Sequence, residues 1–357
     1  MKSLVGVFSR KFFSRKNIKK QMRSHGGRLG AESLETRAML SATALTPDLV
    51  TASDTGWSAV DNRTGDTTPT FVIQASDADA VKLFQVVGKR VTQVGTATKD
   101  GAVWTATLGP LGPGRYSIAA QGFDAQCVAG KRSKPLVVEI GTAAPAVPTI
   151  GLDPKSDSGF KGDRITNVTN PVLVGRAKAG TVVLLTSPSV AGGIEQRVAV
   201  SNRGVWAYRT TALADGNHDF TVKSQNVFGL ESTTATLSLK VDTVRPRVVD
   251  MRYISDVNEI ELEFSAPVRG VDVGDFRLSA PDFRLQNVPL TDKRILGAVG
   301  RITVKDIVDG RVYRLQMSNP DVIGGTFAIQ LIAVKSGIVA ATSGNPLLLD
   351  RTVSATF

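Results

Sequence analysis

The 357 residues are 42% hydrophobic and 21% charged, which excludes wholesale disorder and leaves length for roughly two to four domains, each with its own core. The net charge of +11 is not spread along the chain: residues 1–45 hold five Lys and five Arg against Glu32 and Glu35, so +8 of it sits there. The near-neutral remainder argues against a nucleic-acid surface on the folded part. Apolar runs such as Ala328 to Val334 are too short to cross a bilayer, so no stable membrane span is expected. Cys127 is the only cysteine; it excludes an intrachain disulfide and has no nearby His to support a thiolate.

Residues 1–45 read as a leader. Leu4, Val5, Val7, Phe8, Phe12 and Phe13 sit among Arg10, Lys11, Arg15, Lys16, Lys19 and Lys20, with no sustained apolar stretch as in an ordinary secretory signal, and the basic, Ser-containing, acid-poor composition would equally suit an organellar transit peptide. Basic tails of this kind also bind nucleic acid through phosphates, but Phe12 and Phe13 are adjacent and do not form an interleaved stacking platform. Arg10 to Arg23 would equally suit an amphipathic helix on an anionic membrane during export. Leu34-Glu35-Thr36-Arg37-Ala38-Met39-Leu40-Ser41-Ala42 closely resembles the Leu-Glu-Pro-Arg-x-Leu-Leu-Ser-Ala motif of exported planctomycete surface proteins, with Thr36 in place of Pro and Met39 in place of Leu. The resemblance implies export.

The next two hundred residues repeat. Asp54-Thr55-Gly56 returns as Asp157-Ser158-Gly159, Ala102-Val103-Trp104 as Gly204-Val205-Trp206, and Leu111-x-x-Gly114 as Leu213-x-x-Gly216, at offsets of 102 or 103 residues. A unit of about 100 residues is the size of a β-sandwich and too long for a solenoid repeat. In the first unit, 46–143, strands are predicted at 70–73, 81–87, 91–94, 103–107, 116–118 and 136–140, separated by Gly-Lys, Lys-Asp-Gly and Gly-Pro-Gly turns. In the second, 144–243, they fall at 172–174, 181–186, 196–200, 205–210, 220–224 and 233–241. No helical stretch of 10–15 residues separates them, so the sheets should be antiparallel.

These motifs resemble the bacterial immunoglobulin-like repeats of adhesins and biofilm proteins. The matching elements are Asp157-Ser158-Gly159, Thr166-x-x-Thr169-Asn170-Pro171, Gly204-Val205-Trp206, Leu213-x-x-Gly216-Asn217-His218 and Asp242-Thr243-Val244-Arg245-Pro246. The first unit keeps all but the junction aspartate, replaced by Gly141. The resemblance implies an extracellular stalk or spacer and no reaction.

The last unit, 244–357, changes character. Strands are predicted at 247–254, 260–264, 276–278, 301–304, 312–317, 326–334 and 352–357. Phe264-Ser265-Ala266-Pro267-Val268-Arg269-Gly270 followed by Asp275-Phe276, with Ser343-Gly344-Asn345-Pro346-Leu347, resembles a second bacterial Ig-like family common in large exported proteins, with Ala266 in place of its usual Glu. Pro267 should interrupt a strand and Phe276 should return an aromatic to the core. No anchor helix follows the last strand, so attachment to a cell is expected to be non-covalent or N-terminal.

Candidate chemistry is sparse. Trp104 and Trp206 could stack on a sugar, but a tryptophan just after a turn glycine in both units is more simply an inter-sheet anchor. His218 with Asp215, Asp219 and a distant Ser lacks the strained turn of a nucleophile, and Ser158-x-x-Lys161 lacks the partner motifs of a penicillin-binding site. Asp54, Asp61, Asp157, Asp163 and Asp242 could hold structural calcium near domain junctions, though turn capping is the default use of such aspartates. No catalytic, cofactor or metal residue is therefore assigned. The sequence indicates an all-β, non-catalytic, exported surface or matrix protein of three tandem Ig-like sandwiches, with a surface protein or polysaccharide as partner. A carbohydrate- or protein-binding accessory is the alternative.

Overall fold

A computed structural model describes residues 42–101, 103–254, 259–280, 285–291, 302–317, 328–331, 337–348 and 354–356. The basic leader and the export-like motif up to Ser41 lie outside the described residues. So do parts of the strands predicted at 326–334 and 352–357.

The first unit contains β1 (Thr43–Ala44), β2 (Asp48–Leu49), β3 (Arg63–Thr64), β4 (Thr70–Ile73), β5 (Ala75–Ser76), β6 (Ala80–Val87), β7 (Arg90–Asp100), β8 (Val103–Thr107), β9 (Gly114–Phe123) and β10 (Leu136–Ile140). Alternation dictates the burial: in β4 Phe71 and Ile73 point inward, and in β8 Trp104 and Ala106 do. Their facing partners include Val81, Leu83, Ile118 and Val138, which complete one core. Eight strands form a continuous ribbon in the order β2-β4-β8-β7-β6-β9-β10-β3. Strand β7 makes this possible. Its first part pairs with β6, then Thr98 to Asp100 pair with β8, so one strand passes from one layer to the other.

The folded chain starts before residue 46. Ala42 and Ala44, assigned to the leader from composition, are buried in this core, and β1 pairs with β5. Small side chains and a two-residue pairing leave no hydrophobic run to betray them.

The second unit repeats the course with β11 (Gly151–Leu152), β12 (Ile165–Thr166), β13 (Val172–Arg176), β14 (Val182–Thr186), β15 (Gln196–Ala199), β16 (Val205–Arg209), β17 (Gly216–Gln225) and β18 (Ala235–Val241). Here the layers stay separate, as β11-β13-β16 and β12-β18-β17-β14-β15. Between them lie Leu173, Val183, Leu185, Trp206, Phe220, Val222, Leu237 and Leu239. Two pairings depart from the antiparallel expectation: β3 runs parallel to β10, and β12 parallel to β18. Each of these short strands follows the Asp-(Ser/Thr)-Gly loop and ties it to the last strand of its unit.

In the C-terminal part, Glu259–Phe264 pairs with Val248–Ile254 on one side and Val312–Met317 on the other, with Ile302–Val308 beyond. The second layer holds Leu285–Pro289, Phe276–Ala280, Ala328–Leu331 and Ser354–Thr356. Ile260, Leu262, Phe264, Phe276 and Leu315 are buried between them. Strand Glu259–Phe264 ends just before Pro267, and the Phe264 ring meets Tyr313 edge-on at 5.8 Å. The buried core residues fall into three separate clusters, one per unit. The architecture is all-β, made of tandem Ig-like sandwiches, and among the described residues the only helices are two 3-10 turns.

Candidate functional site at the module joints

The duplicated Asp-(Ser/Thr)-Gly loop sits where one unit meets the next. In the first unit the Thr55 hydroxyl accepts a hydrogen bond from Gly65 N at 2.8 Å and donates to Phe228 O of the second unit at 2.9 Å. In the second unit Ser158 does the same. Its hydroxyl accepts from Asn167 N at 2.8 Å and donates to Ser343 O of the C-terminal unit at 2.5 Å. A hydroxyl is needed because only a group that donates and accepts can bridge its own loop and a foreign carbonyl.

Both joints are also steric. A methyl added to Gly229 would lie 1.8 Å from Thr55 O, and one added to Gly159 would lie 1.8 Å from Thr342 O. At Gly141 it would lie 2.2 Å from the Phe228 ring. The backbones therefore approach as closely as glycine alone permits.

An asparagine amide completes each joint by holding the connecting chain. Asn226 Nδ2 donates to Ala143 O at 2.9 Å, while its Oδ1 accepts from Phe228 N and Leu230 N and shapes the docked turn. Asn345 Nδ2 donates to Asp242 O and Val244 O. The second joint adds cations: Arg245 donates to Pro346 O and Leu347 O, and Arg269 reaches Gly159 O at 3.2 Å while lying over the Phe160 ring.

The aspartates behind these loops differ. Asp157 Oδ2 accepts from Gly162 N at 2.6 Å. Asp54 is buried, and among the described residues neither of its carboxylate oxygens has a hydrogen-bond partner. Burial pushes its carboxyl above the usual carboxylate range; the backbone N–H groups of Asn62 and Arg63 oppose the rise from beyond good hydrogen-bond geometry, and Asp61 and Asp48 add to it. The other three candidate calcium ligands cap turns. Asp61 accepts from Arg63 N, Asp163 from Ile165 N and Asp242 from Val244 N. Among the described residues no three His, Cys, Asp or Glu side chains cluster as a metal site.

The remaining candidates are dispersed. Trp104 and Trp206 are both buried in their cores, and Trp206 Nε1 donates to Thr149 O at 3.2 Å. His218 is buried with Nε2 at 2.8 Å from Ala214 O and Nδ1 at 2.8 Å from Ser189 Oγ. A carbonyl only accepts, so Nε2 carries a proton, and in a neutral ring Nδ1 then accepts from Ser189. Tyr116 makes the corresponding tie in the first unit, from its hydroxyl to Gly112 O at 3.0 Å. Neither aspartate reaches the ring: Asp215 accepts from Thr243, and Asp219 from Ser238. Lys161 is bonded to the carbonyls of Asp157 and Pro154, while Ser158 Oγ is bonded to Ser343 O and Asn167 N. Cys127 is exposed.

Sequence reasoning missed Asn226 and Gly229, and placed Arg245 only in the junction motif. An Asn-x-x-Gly turn between two long strands was the available signal for the first two, but their targets lie 83 and 174 residues away along the chain.

Paired sheets around a buried tryptophan, repeated end to end, define an Ig-like tandem protein. The model of the bacterial Ig-like domain matches residues 41–142 and 143–243, more than half of the chain, and the protein belongs to that family. Among solved structures, the chain is similar to the fibronectin(III)-like modules of Clostridium thermocellum CbhA, with 17% identity, TM-score 0.33, 50% of this chain and 87% of that one covered. It is also similar to the BSP domain of a biofilm-associated protein, with 15% identity, TM-score 0.20 and 51% of this chain covered, though it spans only 28% of that one. The FN1–FN3 domains of chicken CNTN1 match at 12% identity and TM-score 0.26, over 88% of this chain and 97% of that one. No curated protein matches the chain. No helix among the described residues is long and apolar enough to cross a membrane.

Proposed function

We propose that the protein is an exported, non-catalytic structural or adhesive component of the cell surface or extracellular matrix. In this reading three Ig-like modules, divided near residues 143 and 243, form a spacer behind a basic leader. One observation carries the proposal: the side chains that resemble catalytic groups are already committed to holding the fold and its joints. Ser158 bridges two modules, Lys161 is tied to carbonyls, and both ring nitrogens of His218 are engaged inside the second sandwich. Membership of the bacterial Ig-like family and the export-like motif from Leu34 to Ala42 support an extracellular setting.

Binding would use loops and sheet edges. Among the described residues strand β15 pairs only with β14, which leaves an edge where an extended segment of a surface protein can add, and Ile194 beside it is exposed. Burial of Trp104 and Trp206 removes the two aromatics that a sugar-stacking reading would have used. No cofactor is assigned to this role.

The test is fractionation of tagged protein in its native cell, with sequencing of the mature N-terminus. Recovery outside the cytoplasm without the basic leader is expected. Intact full-length protein confined to the cytosol would contradict the proposal.

A further inference from the structure

The turn that receives the Asp-(Ser/Thr)-Gly loop occurs in both repeats, and among the described residues only the second copy is docked on a neighbouring unit. In the second unit it runs from Asn226 to Leu230: Asn226 N bonds Leu230 O, Gly229 N bonds Asn226 O, and Asn226 Oδ1 accepts from Phe228 N and Leu230 N. In the first unit Asp124 to Val128 makes the same four bonds: Asp124 N to Val128 O, Cys127 N to Asp124 O, and Asp124 Oδ1 from Gln126 N and Val128 N. The backbones match even in handedness, with φ of +79° at Gly229 and +61° at Cys127.

Cys127 thus shows that the turn itself tolerates a side chain at its fourth position. Glycine there is not demanded by the local fold. What demands it is the neighbour, because a Cβ on Gly229 would lie 1.8 Å from Thr55 O, too close for any atom pair that is not bonded. The second joint repeats the rule. Gly344, with φ of +72°, faces Gly159, and a Cβ on it would lie 2.8 Å from Gly159 N.

We infer that this turn is a docking socket for the Asp-(Ser/Thr)-Gly loop of the preceding module, open only when its fourth residue lacks a side chain. Two consequences follow. Successive modules are held in one orientation by a backbone-to-backbone contact that the loop hydroxyl locks. The socket of the first unit is closed to such a loop by Cys127, so module order is written into one residue per turn. Neither consequence depends on where the protein resides.

The test uses the full chain with Cys127→Ser, spin labels on Lys89→Cys and Arg203→Cys, and the distance distribution between them. Both label positions are exposed and lie in different units. A single narrow distribution is expected for this parent. Gly229→Asn keeps a residue that accepts positive φ but adds a Cβ, and should broaden the distribution severalfold. Gly141→Ala, on the other side of the joint and outside the left-handed region, should broaden it too by displacing Phe228. If Gly229→Asn unfolds the second unit by circular dichroism, Gly141→Ala alone decides. A broad parent distribution, or narrow ones in folded variants, would overturn the inference.

Discussion

The first and second units share a chain course and an inter-sheet tryptophan, yet they close their sandwiches differently. In the first, β7 continues without a break from β6 to β8 and joins both layers. In the second, the counterpart of β7 is the shorter β15, which ends at Ala199 and pairs with β14, and residues 200–204 separate it from β16, so among the described residues no strand belongs to both sheets. The second unit must therefore hold its layers together by side-chain packing and by contacts at that break, whereas the first has a covalent strand doing so. The two copies thus share their core positions while their edge strands differ.

The largest effect that would sharpen this contrast is at the core. Trp206 is buried with its indole nitrogen satisfied, and Trp206→Ala should cost the second unit about 3–5 kcal/mol, read by chemical denaturation. A cost near zero would mean that the indole does not bridge the layers.

The break itself comes next. Gly101 and Gly204 occupy corresponding turns with φ of +61° and +72°. A Cβ on Gly101 meets nothing, but one on Gly204 would lie 2.8 Å from Ala177 O. Gly101→Ala should cost about 1–2 kcal/mol from left-handed strain alone. Gly204→Ala should cost more, since the turn also seats against another segment, and equal costs in thermal melts would erase the distinction.

The smallest effect concerns the aspartates. A carboxyl whose pKa is raised on folding is bound to its proton more tightly in the native state. The stability linked to it is full below the ordinary pKa of 3.8 and is lost as pH rises through the raised native value. Charged Asp54 is therefore a cost at neutral pH. Asp54→Asn should stabilise the first unit slightly at pH 7, by under about 1 kcal/mol, with the gain vanishing in acid. Asp157→Asn should instead destabilise, because Gly162 N loses a charged acceptor. Gains of the same sign at both sites would contradict this assignment.

Much of the fold was legible because alternation is a local signal. Thr70 to Ile73 and Val103 to Thr107 announce buried strands by their own spacing. The parallel strands β3 and β12 were not legible, since Arg63-Thr64 and Ile165-Thr166 carry two residues each and no hydrophobic run. The joints were half legible. Asp54-Thr55-Gly56 and its copy stood out as a repeat, but the partner carbonyl of Thr55 is 173 residues away, and no local pattern encodes so distant a contact.

The central claim is that each unit buries its own apolar side chains in a separate core, and hydrogen exchange on full-length Trp206→Ala tests it most directly. Amides of β13 to β18 should lose protection, while those of β4, β6 and β9 and of Glu259–Phe264 keep theirs. Simultaneous loss of protection across all three units would mean one merged core and would contradict the account.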